Sequence, residues 1–126
     1  FWRIILKVIV IQQKHPIIDT SDEELACLLK QAEADIFVVP REELTDEMAK
    51  KADIIYGWPP KKFLKKCGNL KWLHLPTSGT EFYCDSSLYK NPEKIILTNS
   101  TGIFGQQLAE HTLALLLAWA SSGTPR

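Results

Sequence analysis

The stretch IILKVIVI at residues 4–11 carries the strongest fold signal, because nearly all of its residues are apolar and β-branched. A continuous apolar run, rather than an alternating one, is typical of a strand that is covered on both faces. Shorter runs of the same kind recur at residues 35–39, 53–56, 72–75 and 95–98. The sequence therefore predicts five strands.

Helical signals lie between these runs. Ser21 and Glu24 fit a capping box, and apolar residues at helical spacing continue to Ala32. A second helix is predicted to begin at Asp46, and lysines follow in its last turn. A third helix is predicted over residues 60–66, because a proline stands at its start and a glycine shortly after its end. Strand and helix therefore alternate. This pattern predicts an α/β, flavodoxin-like, five-stranded parallel sheet in the order 2-1-3-4-5, flanked by helices.

The last predicted element, a helix over residues 104–119, is unusual. Its second half, LALLLAWA at residues 113–120, is apolar on every side. One face of a sheet covers only about half of such a helix. We therefore expect a second copy of this chain, or protein sequence outside it, to cover the rest.

The composition excludes several partners and classes. With 126 residues, 45% of them hydrophobic, the chain can form one core without disulfides. Fifteen basic residues balance fifteen acidic ones, so we expect no nucleic acid and no membrane partner. No apolar run approaches the ~20 residues that span a bilayer, and Lys7 interrupts the only signal-peptide-like stretch. Three cysteines without CxxC spacing favour a reducing, cytoplasmic compartment and predict no zinc site.

This sequence lacks the residues that the common functions of this fold require. A phosphoacceptor domain needs acidic residues after the first and third strands, where residues 12–14 read QQK and residues 56–58 read YGW. A flavodoxin needs a Ser/Thr/Gly-rich phosphate loop where residues 13–16 read QKHP. The dinucleotide fingerprint G-x-G-x-x-G is also missing, because Gly102 and Gly105 stand without a third glycine. The three histidines share no metal-ligand spacing, so we predict no metal site.

The turn PTSGT at residues 76–80 follows the fourth predicted strand. Open α/β sheets bind ligands at this carboxyl edge. Small residues there leave backbone N–H groups exposed, and such groups can hold a carboxylate. An ordinary strand-to-helix turn explains the same residues equally well, so the residues alone leave both interpretations open.

Three segments in one order resemble the D-isomer-specific 2-hydroxyacid dehydrogenases: LKWLHLPTSGTE at 70–81, IILTNSTG at 95–102 and QLAEHTLALLL at 107–117. The resemblance is good over residues 52–120 and weaker over residues 1–50. In that family a long helix joins a flavodoxin-like substrate domain to a Rossmann domain that binds NAD(P), and the active site lies between them.

The resemblance implies three parts for this chain. Residues 1–102 would be the substrate-binding domain, residues 103–120 the interdomain helix and residues 121–126 a tail, with the Rossmann cofactor domain absent. The full-length protein would be an NAD(P)-dependent oxidoreductase that acts on the CH–OH group of D-2-hydroxy acids and reduces 2-oxo acids. The absent domain would bind most of the NAD or NADP and carry the catalytic histidine, carboxylate and arginine. We therefore assign no catalytic residue here and expect the fragment alone to be inactive.

The resemblance also implies substrate-binding residues. The backbone amides around Ser78 and Gly79 would hold the carboxylate of a small 2-oxo or 2-hydroxy acid, with Thr77 beside them. Tyr56 and Gly57 would form another wall of the cleft.

Phe104 and Gly105 occupy the position where the family approaches the nicotinamide and the substrate.

A homodimer is expected, with the C-terminal helix as a candidate interface. Two alternatives stay open. One is a non-catalytic ligand-sensing or protein-interaction module of the same architecture. The other is a stand-alone domain that dimerises through residues 104–119.

Overall fold

A computed structural model describes residues 5–12, 31–32 and 34–123. Its strands form one sheet in the order β2-β1-β3-β4-β5, and every neighbouring pair is parallel. The strands are β1 (Lys7–Gln12), β2 (Asp35–Pro40), β3 (Ile54–Tyr56), β4 (Trp72–Leu75) and β5 (Ile96–Asn99). The predicted α/β flavodoxin-like sheet and its strand order are confirmed.

The described helices are α1 (Asp46–Lys51), α2 (Lys61–Leu64) and α3 (Gly105–Ser122). Thr45 caps α1, because its side chain accepts a hydrogen bond from the Met48 N–H at 3.3 Å. Helix α2 follows Pro60 as predicted, although its regular part is only four residues long. The helix predicted after Ser21 lies outside the described residues.

The connection between β4 and β5 differs from the predicted alternation of strands and helices. It contains two short 3-10 turns, Ser86–Leu88 and Pro92–Lys94. Glycine, proline, asparagine, aspartate and serine are frequent between residues 76 and 92, and these residues favour turns over a helix. Asp85 caps the first turn by accepting a hydrogen bond from the Ser87 N–H at 2.8 Å.

One face of the sheet carries the core. Helices α1 and α2 both cover this face, because the connections from β2 to β3 and from β3 to β4 move along the sheet in the same direction. The core residues from the sheet are Ile9, Ile11, Ile55, Leu73 and Leu75, and those from helices and loops are Ala49, Ala52, Phe63, Leu64, Cys67 and Leu70.

The opposite face is open over β3, β4 and β5. The strand register aligns Ile54 with Trp72 and Ile96, and Tyr56 with His74 and Thr98. Alternation along each strand places all these side chains away from the core. Tyr56 is 43%, Trp72 41% and Ile96 64% exposed, so the expectation of strands covered on both faces does not hold here. We call these residues the open sheet strip: Ile54, Tyr56, Trp72, His74, Ile96 and Thr98.

Helix α3 is uncovered along its whole length. All of its residues are exposed, and Trp119 is 75% exposed. The sequence predicted that one face of this helix would contact the sheet, but the structure leaves both faces open. The chain turns at Gly102, which has a positive φ of 86°, before the helix begins. Among the helices that the structure describes, none has the length and hydropathy of a transmembrane span.

Candidate functional site

Three of the connections that the structure describes begin at the carboxyl edge of the sheet, because all its strands are parallel. They follow Tyr56 of β3, Leu75 of β4 and Asn99 of β5. This edge is where open α/β sheets bind ligands. The connection after β4 contains the turn at residues 76–80, which we call the amide loop.

Hydrogen bonds from both sides hold the amide loop. From β5, Asn99 Nδ2 donates to the Ser78 carbonyl at 2.7 Å and also to Thr101 Oγ1 at 2.6 Å. From the connection after β3, Trp58 Nε1 donates to Thr77 Oγ1 at 3.3 Å. These contacts fix the loop between its two neighbours.

The Ser100 N–H adds a second anchor from β5. It donates to the Leu75 carbonyl at 3.1 Å and to the Thr77 carbonyl at 3.2 Å. Two consecutive carbonyls of the loop, those of Thr77 and Ser78, are therefore turned toward the end of β5.

The orientation of these carbonyls fixes the direction of the amides. In a planar trans peptide the C=O and the following N–H point in opposite directions. Because the Thr77 and Ser78 carbonyls face β5, the N–H groups of Ser78 and Gly79 point away from it. Both residues are exposed, and within residues 34–123 no acceptor is bonded to either N–H. Two adjacent free donors of this kind suit an anion.

Glu81 lies beside this pair of donors. A Cβ atom built on Gly79 would lie 3.2 Å from Glu81 Oε2 and 3.4 Å from Oε1. The carboxylate is exposed and can rotate, but in its present position it repels an incoming anion. The absence of a side chain at Gly79 keeps the backbone accessible to a ligand.

Gly57 brings the end of β3 against the end of β1. It has a φ of 122°, and its N–H donates to the His74 carbonyl at 3.0 Å. A Cβ atom there would lie 2.9 Å from the Cβ of Ile11. The backbone at this predicted cleft wall therefore requires glycine.

The side chain of Tyr56 lies on the open sheet strip. Its ring stacks on His74 with the centroids 5.4 Å apart. The ring thus lies beside the His74 ring on this face of the sheet.

His74 is held by two hydroxyl groups. Its Nδ1 lies 2.8 Å from Thr98 Oγ1, and its Nε2 lies 3.2 Å from Ser100 Oγ. Thr98 Oγ1 also accepts a hydrogen bond from Trp72 Nε1 at 2.8 Å. Both ring nitrogens of His74 therefore have hydrogen-bond partners within the chain.

Phe104 and Gly105 lie at the start of α3, where both are exposed. No hydrogen bond joins either residue to the amide loop. The large side chains of Ile103 and Phe104 precede the helix where a pyrophosphate would need glycines for close approach. The described residues contain no group of three or more His, Cys, Asp or Glu side chains that could hold a metal ion.

The groups with shifted pKa values lie outside the amide loop. Burial would raise the pKa of Asp53, but hydrogen bonds from Lys71 Nζ at 2.8 Å and from the Lys7 N–H at 3.1 Å lower it overall. Burial raises the pKa of Cys67 and that of Tyr89, each to about 12. The loop thus provides donors for an anion, and none of these shifted acids or bases belongs to it.

Several residues of this site could not be identified from the sequence. Asn99 and Ser100 follow an apolar run, which signals only the end of a strand. Trp58 contacts Thr77 across 19 positions, and no local pattern predicts that contact. Glu81 adjoins the loop in sequence, but only the structure places its carboxylate against Gly79.

A comparison with models of known protein families found no match to this chain, and a search of curated proteins found none either.

Proposed function

We propose that this chain is the substrate-binding part of an NAD(P)-dependent D-2-hydroxyacid dehydrogenase, which interconverts 2-oxo acids and D-2-hydroxy acids. The observation that supports this proposal best is the pair of outward-pointing amides at Ser78 and Gly79. The resemblance of residues 52–120 to that family supports it independently.

In this proposal the chain binds and orients the substrate. The Ser78 and Gly79 N–H groups donate to the substrate carboxylate, and such charge-assisted hydrogen bonds contribute roughly 1.5–3 kcal/mol each. Asn99 and Ser100 bind the loop carbonyls on the side opposite these N–H groups. The N–H donors are therefore ordered before the substrate binds. The nicotinamide of NAD or NADP would supply the hydride, and a separate domain would hold most of that cofactor.

Further expectations belong to this proposal. The protein acts in the cytoplasm and has no nucleic acid or membrane partner, and it forms a homodimer. Phe104 and Gly105 would face the nicotinamide and the substrate across the cleft. No proton or hydride transfer is assigned to a residue of this chain.

Calorimetric titration of the 126-residue chain with pyruvate tests the proposal, with methyl pyruvate as the control that lacks the carboxylate. We expect pyruvate to bind and methyl pyruvate not to bind. Addition of NADH should give no turnover. Turnover by the chain alone would contradict the assignment of catalysis to another domain.

A matched pair of variants then locates the site. Gly79→Pro removes one donor, so pyruvate affinity should fall roughly 10- to 100-fold. Gly79→Ala keeps the N–H, and the nearest neighbours of its Cβ belong to the rotatable Glu81 carboxylate, so its affinity should stay close to that of the wild type. Equal affinities for the two variants would contradict the proposed contact, provided that circular dichroism shows both are folded.

One observation favours the alternative of a protein-interaction module. Helix α3 presents large exposed apolar side chains, including Leu117 at 70% exposure. Such surfaces mark interaction sites in soluble proteins. Pyruvate binding separates the two functions, because an interaction module without ligand sensing has no reason to bind it.

A further inference from the structure

Glu81 is the one charged side chain in the three segments that surround the amide loop. These segments are residues 56–60, 75–81 and 99–109, which lie at and after the ends of β3, β4 and β5. All their other side chains are uncharged. The candidate site therefore combines two donors for an anion with a single negative charge beside them.

The backbone that carries Glu81 is anchored. The Tyr83 N–H donates to the Thr80 carbonyl at 2.8 Å, which closes a turn around Glu81. The Tyr83 hydroxyl donates to the Pro59 carbonyl at 3.1 Å and ties this turn to the connection after β3. The Glu81 side chain can rotate about this backbone, but its carboxylate stays within side-chain reach of Gly79.

The Glu81 carboxylate has no cationic partner within residues 34–123. The ion pairs in this part of the chain join Lys66 to Asp46 and Lys71 to Asp53. The exposed Glu81 carboxylate is therefore available to a cation on a ligand.

The distance between Glu81 and the amide pair sets where such a cation must lie. The Glu81 oxygens are 3.2 and 3.4 Å from the position of a Cβ atom on Gly79. A substrate carboxylate on the Gly79 N–H would then lie roughly 4–6 Å from the Glu81 carboxylate. Four bonds of about 1.5 Å, in an extended zigzag, span roughly 5 Å. A cationic group four bonds from the carboxylate carbon of the substrate can therefore reach Glu81.

The sign of the charge favours such a substrate over a simple 2-oxo acid. Glu81 repels the carboxylate of every substrate that the amides hold. Opposite charges at the same distance attract as strongly as like charges repel, so a cation on the substrate offsets this repulsion. An ammonium or guanidinium also donates charge-assisted hydrogen bonds to a carboxylate.

We propose that Glu81 determines substrate specificity, and that the 2-oxo or D-2-hydroxy acid bound by this chain carries a cationic group about four bonds from its carboxylate carbon. The amide pair holds the negative end of this substrate, and Glu81 holds the positive end. This inference rests on the proposed function, because the amides must first bind the carboxylate.

A matched pair of acids tests the inference. D-4-amino-2-hydroxybutanoate and D-2-hydroxypentanoate have the same number of non-hydrogen atoms, and an ammonium in the first replaces the terminal methyl group of the second. Each is titrated into the 126-residue chain in low-salt buffer and followed by calorimetry. The preference is the affinity for the amino compound divided by the affinity for the pentanoate.

Two charge-removing variants show whether Glu81 sets this preference. We expect Glu81→Gln to lower the preference roughly 3- to 5-fold relative to the wild type, because it removes the attraction to the ammonium. Comparison of the same two acids in both proteins cancels the effect on their common carboxylate. Glu93→Gln, which removes the same charge from the turn Pro92–Lys94, should leave the preference unchanged.

The outcomes separate this inference from the proposed function. An unchanged preference in Glu81→Gln, or an equal fall in Glu93→Gln, would overturn the inference. If the wild type still binds both acids in that case, the amide site stands and only the assignment of Glu81 fails. If the wild type binds neither acid, the proposed function and the inference both fail.

Discussion

Removal of the Glu81 charge should strengthen pyruvate binding, and the size of the effect follows from the geometry of the amide loop. The Glu81 carboxylate oxygens lie 3.2 and 3.4 Å from the position of a Cβ atom on Gly79. A substrate carboxylate that accepts the Gly79 N–H would have an oxygen about 2.9 Å from that nitrogen. The two negative groups would then be roughly 4–6 Å apart, where their repulsion in water is about 1 kcal/mol.

Glu81→Gln keeps the size of the side chain and removes this repulsion. We expect pyruvate affinity to rise about 3- to 5-fold in low-salt buffer. The gain should shrink at high ionic strength, because salt screens exposed charges. Calorimetric titration at two salt concentrations measures both effects.

Glu93→Gln is the matched control, since it removes the same charge from the turn Pro92–Lys94 at the opposite end of β5. We expect it to leave pyruvate affinity unchanged. Equal effects of the two substitutions would mean that only net charge matters. Weaker binding by Glu81→Gln would refute the reasoning, because it would show that this carboxylate assists the ligand.

Three other predictions concern stability and reactivity. Gly57→Ala should lower the free energy of unfolding by roughly 2–4 kcal/mol, because it adds a contact 2.9 Å from Ile11 Cβ to the strain of a positive φ. Gly102→Ala, with the same sign of φ but open space around it, should cost only about 1–2 kcal/mol in the same denaturation assay. Asp53→Asn should lower stability by about 1–2 kcal/mol at neutral pH. Folding lowers the pKa of Asp53 below 3.8, so the difference in unfolding free energy between wild type and Asp53→Asn should hold above pH 3.8. It should disappear as the pH falls through the folded-state pKa. A difference that stays constant during acid unfolding would contradict the ion pair. In the native protein a thiol reagent should modify exposed Cys84 and spare Cys67. Cys67 is buried and has a pKa of about 12, so little thiolate forms there. Peptide mapping that finds Cys67 modified first would contradict this prediction.

The sheet could be predicted from the sequence because its strands are short apolar runs separated by helix and turn signals. The start of α1 is also a local signal, and the structure begins this helix at Asp46 as predicted. The open sheet strip could not be predicted. Trp72 and Ile96 have the composition of buried strand residues, and their exposure depends on the path of α3.

The candidate site was only partly predictable for a similar reason. The position of the amide loop follows from its place after an apolar strand. The direction of its amides depends on contacts with Asn99 and Ser100, which are about 20 residues away along the chain. Hydrogen bonds between distant residues leave no periodic pattern in a sequence, so only the structure can identify these anchors.

The claim that the Ser78 and Gly79 amides hold the carboxylate of a 2-oxo acid can be tested directly by nuclear magnetic resonance. Backbone amide signals of the ¹⁵N-labelled chain are followed while pyruvate is added, and then while methyl pyruvate is added. We predict saturable shifts centred on Ser78 and Gly79 with pyruvate, and no such shifts with the ester. Shifts centred elsewhere, or the same shifts with both compounds, would contradict the account.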